Sequence, residues 1–270
     1  MAPKVLVLGS NFAGLTAALA VKHELQDDVD VTVISKDDRF IFNPSFIWIP
    51  FGKRKPADIS FPVAPTFDAH GVEFVHAEAT RIDPQHQQVQ TTSGSYGFDY
   101  LVVATGYRED FSPIPGAGPG GPAHAITSLQ GALGAADGWK QLLADPGPVV
   151  VAAAQGTGCF GAAYEFVFNL AYQLRKAGLK QRAPITYVTA EPFLGHFGIG
   201  GLPGGERLLG MFLKHTGIQA VLNSAIAEVV PGELRLADGR RLPFHFAVVV
   251  PPFVGAEVVR TSGLGNPLVW

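Results

Sequence analysis

Cysteine is almost missing from this chain: Cys159 stands alone among 270 residues. That excludes an intrachain disulfide and a cysteine-rich metal site, and it fits a reducing compartment. Charge is sparse, at 16% of residues, with 20 basic and 23 acidic side chains and no long run of either sign. A nucleic-acid partner, which needs a basic stripe, is therefore not expected. Long hydrophobic runs are lacking as well; Phe246 to Val250 falls far short of the roughly 20 residues of a membrane span. The eight histidines are scattered with no pair at metal-ligand spacing, so no metal site is expected. The start, MAPKVLVLGS, runs directly into a strand and leaves no room for a signal peptide, which reads as cytoplasmic. Peripheral contact with the cytoplasmic face of a membrane and homo-oligomerisation are left open by composition.

What is present is apolar and rich in glycine: 47% hydrophobic residues and 32 glycines. The length suffices for a sizeable core and two domains. The most informative stretch runs from Pro148 to Gly178. Val149 to Ala153 reads as a buried strand, followed by the turn Gly156-x-Gly158-x-x-Gly161 and an amphipathic helix. This spacing lets backbone approach a phosphate and a helix pack tightly on a strand. Cys159 lies inside the turn, where the positive end of the helix dipole favours nucleophilic or redox chemistry.

A second turn of this type opens the chain. Lys4 to Leu8 is a strand leading into Gly9-Ser10-Asn11-Phe12-Ala13-Gly14; helical spacing follows, and Val29 to Ser35 forms the next strand. Asn11 replaces the middle glycine and tolerates left-handed geometry. Ser35-Lys36 ends that strand, with no acid in the place expected to grip an adenosine ribose, although Asp37 and Asp38 follow. Residues 39 to 62 are rich in aromatics, and Phe40, Phe42, Phe46, Trp48 and Phe51 either wall a flat ring or plug a hydrophobic gap. Short strands are expected at Val72 to His76, Ala79 to Ile82, Gln88 to Thr92 and Phe98 to Ala104, the last ending in Thr105-Gly106. The Pro/Gly-rich stretch 111–125 reads as a linker. Beyond the central unit, Ile185 to Ala190 ends at Glu191, where an acid could hold a ribose, and Gly195-His196-Phe197-Gly198 follows. The end, Leu268-Val269-Trp270, looks like a strand cut short. Two glycine-rich strand–turn–helix units in one chain predict an α/β fold of two tandem Rossmann-like domains. The expected boundaries are 1–110, a linker 111–125, a second domain 126–255, and 256–270 returning to the first.

In these motifs the chain resembles the sulfide:quinone oxidoreductase family, FAD-dependent flavoproteins with two dinucleotide-binding domains. The segments that carry the likeness are VLVLGSNFAGLTAAL, VTVISKDDRFIFNPSFIW, YLVVATGYR, GCFGAAYEF, ITYVTAEPFLGHFGIGG and VVVPPFVGAEVV. The resemblance implies FAD on the first domain, with Gly9, Ser10, Asn11, Phe12, Ala13 and Gly14 at its pyrophosphate. It implies Ser35 and Lys36 at the ribose, Ala79 at the adenine, Asn43 and Pro44 approaching from the aromatic loop, and Thr105 and Gly106 closing the pocket. It further implies that the second domain binds no nicotinamide and instead brings Cys159 to the flavin. There a thiolate takes up sulfide sulfur, and two electrons pass through flavin to a quinone. Glu165 and His196 are the candidates for proton handling or quinone contact. Two departures stand out. Thr127 occupies the place of the family's first redox cysteine, and family members continue for a hundred or more residues, returning to the FAD domain. Weak FAD binding and poor solubility are therefore expected of these 270 residues. The alternatives are an NAD(P)H:quinone oxidoreductase using Gly156 to Gly161 and Glu191, and a non-catalytic nucleotide-binding remnant.

Overall fold

A computed structural model describes residues 2–265; the expected strand at Leu268-Val269-Trp270 lies outside them. Two compact units emerge. One comprises the chain up to Phe42, then Ala57–Arg108 and the residues from Val254 onward; the other comprises Asn43–Pro56 and Glu109–Phe253.

The first unit is built on β1 (Lys4–Leu8), α1 (Phe12–Leu25), β2 (Asp30–Ser35), α2 (Ala64–Ala69) and β3 (Glu73–His76). A three-stranded antiparallel sheet follows, β4 (Ala79–Asp83), β5 (Gln88–Thr91) and β6 (Gly94–Gly97), and then β7 (Tyr100–Val103). The parallel sheet has the order β3-β2-β1-β7, with Val5 to Leu8 of β1 opposite Tyr100 to Val103. A central parallel strand is covered on both faces, which is why β1 is a continuous apolar run. Val5, Val7, Val31 and Val33 pack with Ala18 of α1 and Phe67 of α2 on one face, and Leu6, Leu8 and Ile34 pack with Ile82 and Val89 on the other. The chain returns to this unit as a short helix, Glu257–Thr261; Val258 joins the second cluster, and Ile82 N–H donates to Ser262 Oγ at 2.8 Å.

The second unit repeats the plan. It contains α3 (Leu129–Ala144), β8 (Val149–Ala153), α4 (Phe160–Lys176), β9 (Ile185–Thr189), α5 (Gly205–Thr216) and β10 (Gln219–Val221). The antiparallel strands β11 (Ile226–Val230), β12 (Glu233–Leu236) and β13 (Arg241–Pro243) precede β14 (Phe246–Val250). The parallel order is β10-β9-β8-β14, and every residue of β8 and β14 is buried. Helix α3 starts at Ser128, whose hydroxyl accepts from Gly131 N–H, as an N-cap serine should.

Two stretches differ from the sequence expectation. Residues 111–125, read as a linker, pack into the second unit: Ile114 and Ala123 join its core, Val229 N–H donates to Pro115 O at 2.8 Å, and His124 bridges Val248. Proline and glycine here shape a close approach, since a Cβ on Gly116 would lie 1.9 Å from Val229 O. The aromatic stretch divides. Phe40 stacks on Phe61 in the first unit, while Phe51 packs against Trp139 and Phe166 in the second. Among the described residues no helix is long and apolar enough to cross a membrane.

Candidate functional site

In the first unit the turn between β1 and α1 is shaped by two missing side chains. A Cβ on Gly9 (φ +105°) would stand 2.3 Å from Ala104 O, and one on Gly14 would stand 1.9 Å from Gly9 O. Only glycine lets the strand end, the helix start and the Ala104-Thr105-Gly106 turn meet this closely. Asn11 is the N-cap residue of α1, without a side-chain capping bond, and Phe12 and Ala13 are exposed in its first turn, where backbone N–H groups have no intrahelical partner. No acid stands in that turn. This is the cradle a pyrophosphate requires, and the residues present fit the FAD expected from the sequence.

At the expected ribose end, polar contacts hold the strand terminus. Ser35 is buried, and its hydroxyl accepts from Ser10 Oγ at 3.0 Å and from Asp37 N–H at 3.2 Å. Ser35 thus braces the glycine turn, while Lys36 is exposed and its carbonyl oxygen lies 2.9 Å from His76 Nε2. Ala79 opens β4, half-buried; Gly106 has φ +70° and is exposed beside half-buried Thr105. Asn43 and Pro44 begin a short 3-10 turn that belongs to the second unit.

In the second unit the glycine turn is closed by its own chain. Gly158 N–H donates to Pro251 O at 3.2 Å, and Thr157 Oγ donates to Val250 O at 2.7 Å. A Cβ on Gly158 would fall 2.2 Å from the Phe253 ring, so the space left by the middle glycine is filled. Cys159 is the N-cap residue of α4, half-buried, with no side-chain capping bond. Glu165 is exposed on α4. Thr127 is buried, and its hydroxyl donates to Glu109 Oε1 at 2.5 Å.

Glu191 is 1% exposed and turned inward. Its Oε2 accepts from Tyr164 Oη at 2.7 Å and from Thr189 Oγ at 2.9 Å, and its Oε1 accepts from Phe197 N–H at 2.8 Å. Tyr164 Oη in turn accepts from Gly195 N–H at 3.0 Å. Burial, and then the bond to Glu191, push the Tyr164 phenol well above its usual value, so it remains a donor. His196 sits half-buried between these two anchored residues, its Nδ1 accepting from Gly198 N–H at 3.2 Å. A Cβ added to Gly198 would lie 3.5 Å from the ring of Phe160, the first residue of α4. The loop bearing His196 therefore borders the residue after Cys159.

Sequence reasoning missed Tyr164, Thr189, Pro251 and Phe253. Only Tyr164 left a trace: a tyrosine on the buried face of an amphipathic helix needs a partner for its hydroxyl. Thr189 acts locally on Glu191, two residues on, while Pro251 and Phe253 reach the turn only through the tertiary fold.

Residues 3–251 match the family of pyridine nucleotide-disulphide oxidoreductases. The chain is 36% identical to the sulfide-quinone reductase of Aquifex aeolicus over 99% of its own length and 63% of that protein's. A crystal structure of the sulfide:quinone oxidoreductase from Aquifex aeolicus superposes with a TM-score of 0.94 at 35% identity, again over 99% of this chain and 63% of that one. The type II NADH:quinone oxidoreductase of Staphylococcus haemolyticus is 33% identical over 42% of this chain and 28% of its own length. The chain thus spans 63% of the length of the sulfide-quinone reductase it matches. It belongs to the pyridine nucleotide-disulphide oxidoreductase family of FAD-dependent oxidoreductases.

Proposed function

We propose that the chain takes electrons from a sulfide-type donor at Cys159 and delivers them through FAD to a quinone. The observation that carries this reading is the closed second turn. A nicotinamide dinucleotide needs the Gly158 amide, the Cβ-free space above it and a ribose-gripping acid. Pro251 O takes the amide, Phe253 fills the space, and Glu191 is committed to Tyr164, Thr189 and Phe197. A turn that has lost its nucleotide but keeps a half-buried thiol at the mouth of a 17-residue helix is suited to sulfur chemistry. The 36% identity to a sulfide-quinone reductase supports the same reading.

Cys159 thiolate and hydrosulfide form an S–S bond while the S–H bond breaks; one proton and two electrons leave, giving a persulfide. FAD, when bound, would supply the two-electron sink between Cys159 and the quinone, whose reduction takes the electron pair and two protons. A second hydrosulfide then attacks the outer sulfur, regenerating the Cys159 thiolate and releasing disulfide anion. Within these 270 residues Cys159 is the single cysteine and Thr127 is tied to Glu109, so the nucleophile is assigned to a second hydrosulfide. Glu165 and His196 are the side chains assigned to proton handling or quinone contact, His196 being the one held in a defined geometry.

The test is stopped-flow bleaching of the flavin-loaded chain. Sulfide should reduce the flavin, and Cys159→Ser should slow that reduction at least a thousandfold. Reduction by NADH, with Cys159→Ser as fast as the parent, would replace this reading with the NAD(P)H:quinone oxidoreductase alternative. A chain that holds no flavin and turns over neither donor would leave only the nucleotide-binding remnant.

A further inference from the structure

Among the described residues, Glu191 is the one acidic or basic side chain that is buried. Burying a carboxylate is costly, and an apolar residue of similar size would usually serve stability as well or better. What the carboxylate achieves here is local. Phe197, a bulky residue, has φ +53°, a conformation that side chains of its size rarely adopt. Glu191 Oε1 holds its N–H, while the Phe197 ring packs edge-on against Tyr164 with centroids 5.3 Å apart. On the other side of His196, Tyr164 Oη holds Gly195 N–H. The residues before and after His196 are thus pinned to one buried pair.

The pinning fixes the imidazole. His196 O accepts from the N–H groups of Ile199 and Gly201, both at 3.0 Å, and the ring lies edge-on to Phe193 at 5.2 Å. Gly198 N–H then points at Nδ1. A ring nitrogen that accepts a backbone N–H cannot carry a proton, so the neutral ring keeps its proton on Nε2.

We infer that Glu191, acting through Tyr164 and the Gly195–Gly198 backbone, is a positioning residue that sets the His196 tautomer and presents Nε2–H for proton transfer. This rests on the proposed function for the role of His196 in turnover, but not for its tautomer. The acid that in a nucleotide-binding unit would reach outward to a ribose is turned inward to serve the loop beside it.

The experiment uses the full chain with FAD and nitrogen-15-labelled histidine. In the parent at high pH, His196 should show one ring nitrogen in the protonated range and Nδ1 in the unprotonated range. Glu191→Gln and Tyr164→Phe should each cut the separation between the two signals by at least half as the tautomers mix. Tyr164→Phe, which removes one oxygen, carries the test should Glu191→Gln fail to fold. In sulfide-driven quinone reduction, each should lower kcat roughly 10–100-fold. That loss should vanish in a His196→Ala background, as expected of groups acting as a unit. An unchanged tautomer signature in both variants, or fold-changes that multiply independently of His196→Ala, would overturn the inference. Should sulfide fail to drive turnover at all, the functional reading falls while the tautomer signals still decide the role of Glu191.

Discussion

The two glycine turns share a spacing, a place after the first strand of a parallel sheet, and a helix beyond. Their surroundings are opposite. At Gly9 the missing side chain admits the Ala104 carbonyl and at Gly14 the Gly9 carbonyl, both backbone, and the start of α1 is exposed. At Gly158 the missing side chain admits the Phe253 ring, and the amide is held by Pro251. The same pattern of letters thus builds the same bend, while ligand binding is decided by what occupies the space the glycine vacates. Both occupants, Ala104 and Phe253, come from far downstream, where local spacing carries no information about them.

The sharpest way to separate the turns is to put the same methyl group on each. Gly9→Ala drives a Cβ into a fixed carbonyl oxygen and adds left-handed strain, so it should cost roughly 2–6 kcal/mol and abolish flavin retention. Gly158→Ala meets the Phe253 side chain from its Cβ to its ring, so that residue must shift, but at a position without left-handed strain. It should cost roughly 1–3 kcal/mol and leave the flavin-to-protein absorbance ratio unchanged. Equal flavin loss in both variants would mean that the second turn also holds nucleotide.

Unplugging the second turn is the next test. Phe253→Ala removes a half-buried ring and should lower stability by roughly 1–3 kcal/mol in urea unfolding. It should not make NADH a reductant of the flavin, because Pro251 O still holds the Gly158 amide and Glu191 still faces inward. Rapid bleaching by NADH in this variant would show that the ring alone bars the nucleotide.

Much of the frame was legible in the letters. Lys4–Leu8, Val149–Ala153 and Phe246–Val250 have the bounds their apolar runs imply, because strands covered on both faces leave an uninterrupted hydrophobic signature. The tandem repeat followed from two such strands meeting two glycine turns. The direction of single polar side chains was not legible. Ser35, expected at a ribose, accepts from Ser10, and Glu191 stood in a nucleotide-gripping place but faces a tyrosine one helix away. Such choices depend on which hydroxyls and amides the fold gathers, and neither period nor propensity records them. The stretch 111–125 was misread for a related reason: glycine and proline mark loops in general, yet here they permit tight packing on β11.

The fourth strands of the two sheets differ as well. Along the outer edge of β14, His124 donates its N–H to Ala247 O and accepts from Val249 N–H, both at 2.9 Å. Its ring lies 5.4 Å from that of Phe246. That cover introduces acid sensitivity. Burial pushes the His124 imidazole below its ordinary 6.5, partly opposed by Asp137. The folded chain therefore binds fewer protons at this site than the unfolded chain once the pH drops past 6.5. Its contribution is complete above that pH and erodes below it. Thermal unfolding from about pH 8 to about pH 5.5 should show a smaller fall in Tm for His124→Gln than for the parent; equal falls would place the acid-sensitive group elsewhere.

The fourth strand of the first unit has no such cover among the described residues. β7 is the last strand in its sheet, with Tyr100 64% and Val103 43% exposed, whereas no residue of β14 exceeds 1%. An exposed apolar edge presents unpaired backbone groups and invites pairing with another chain. Tyr100→Lys places a charge on that edge without removing a core contact. Its stability should stay within about 0.5 kcal/mol of the parent. Its monomer fraction in gel filtration should rise, with the gain largest at high protein concentration, where edge-to-edge pairing is favoured by mass action. The matching substitution is impossible in the second unit, where a lysine anywhere on Phe246–Val250 would be buried without a partner. An unchanged monomer fraction for Tyr100→Lys would mean that the β7 edge is protected in solution, and the contrast between the two fourth strands would then be one of exposure alone.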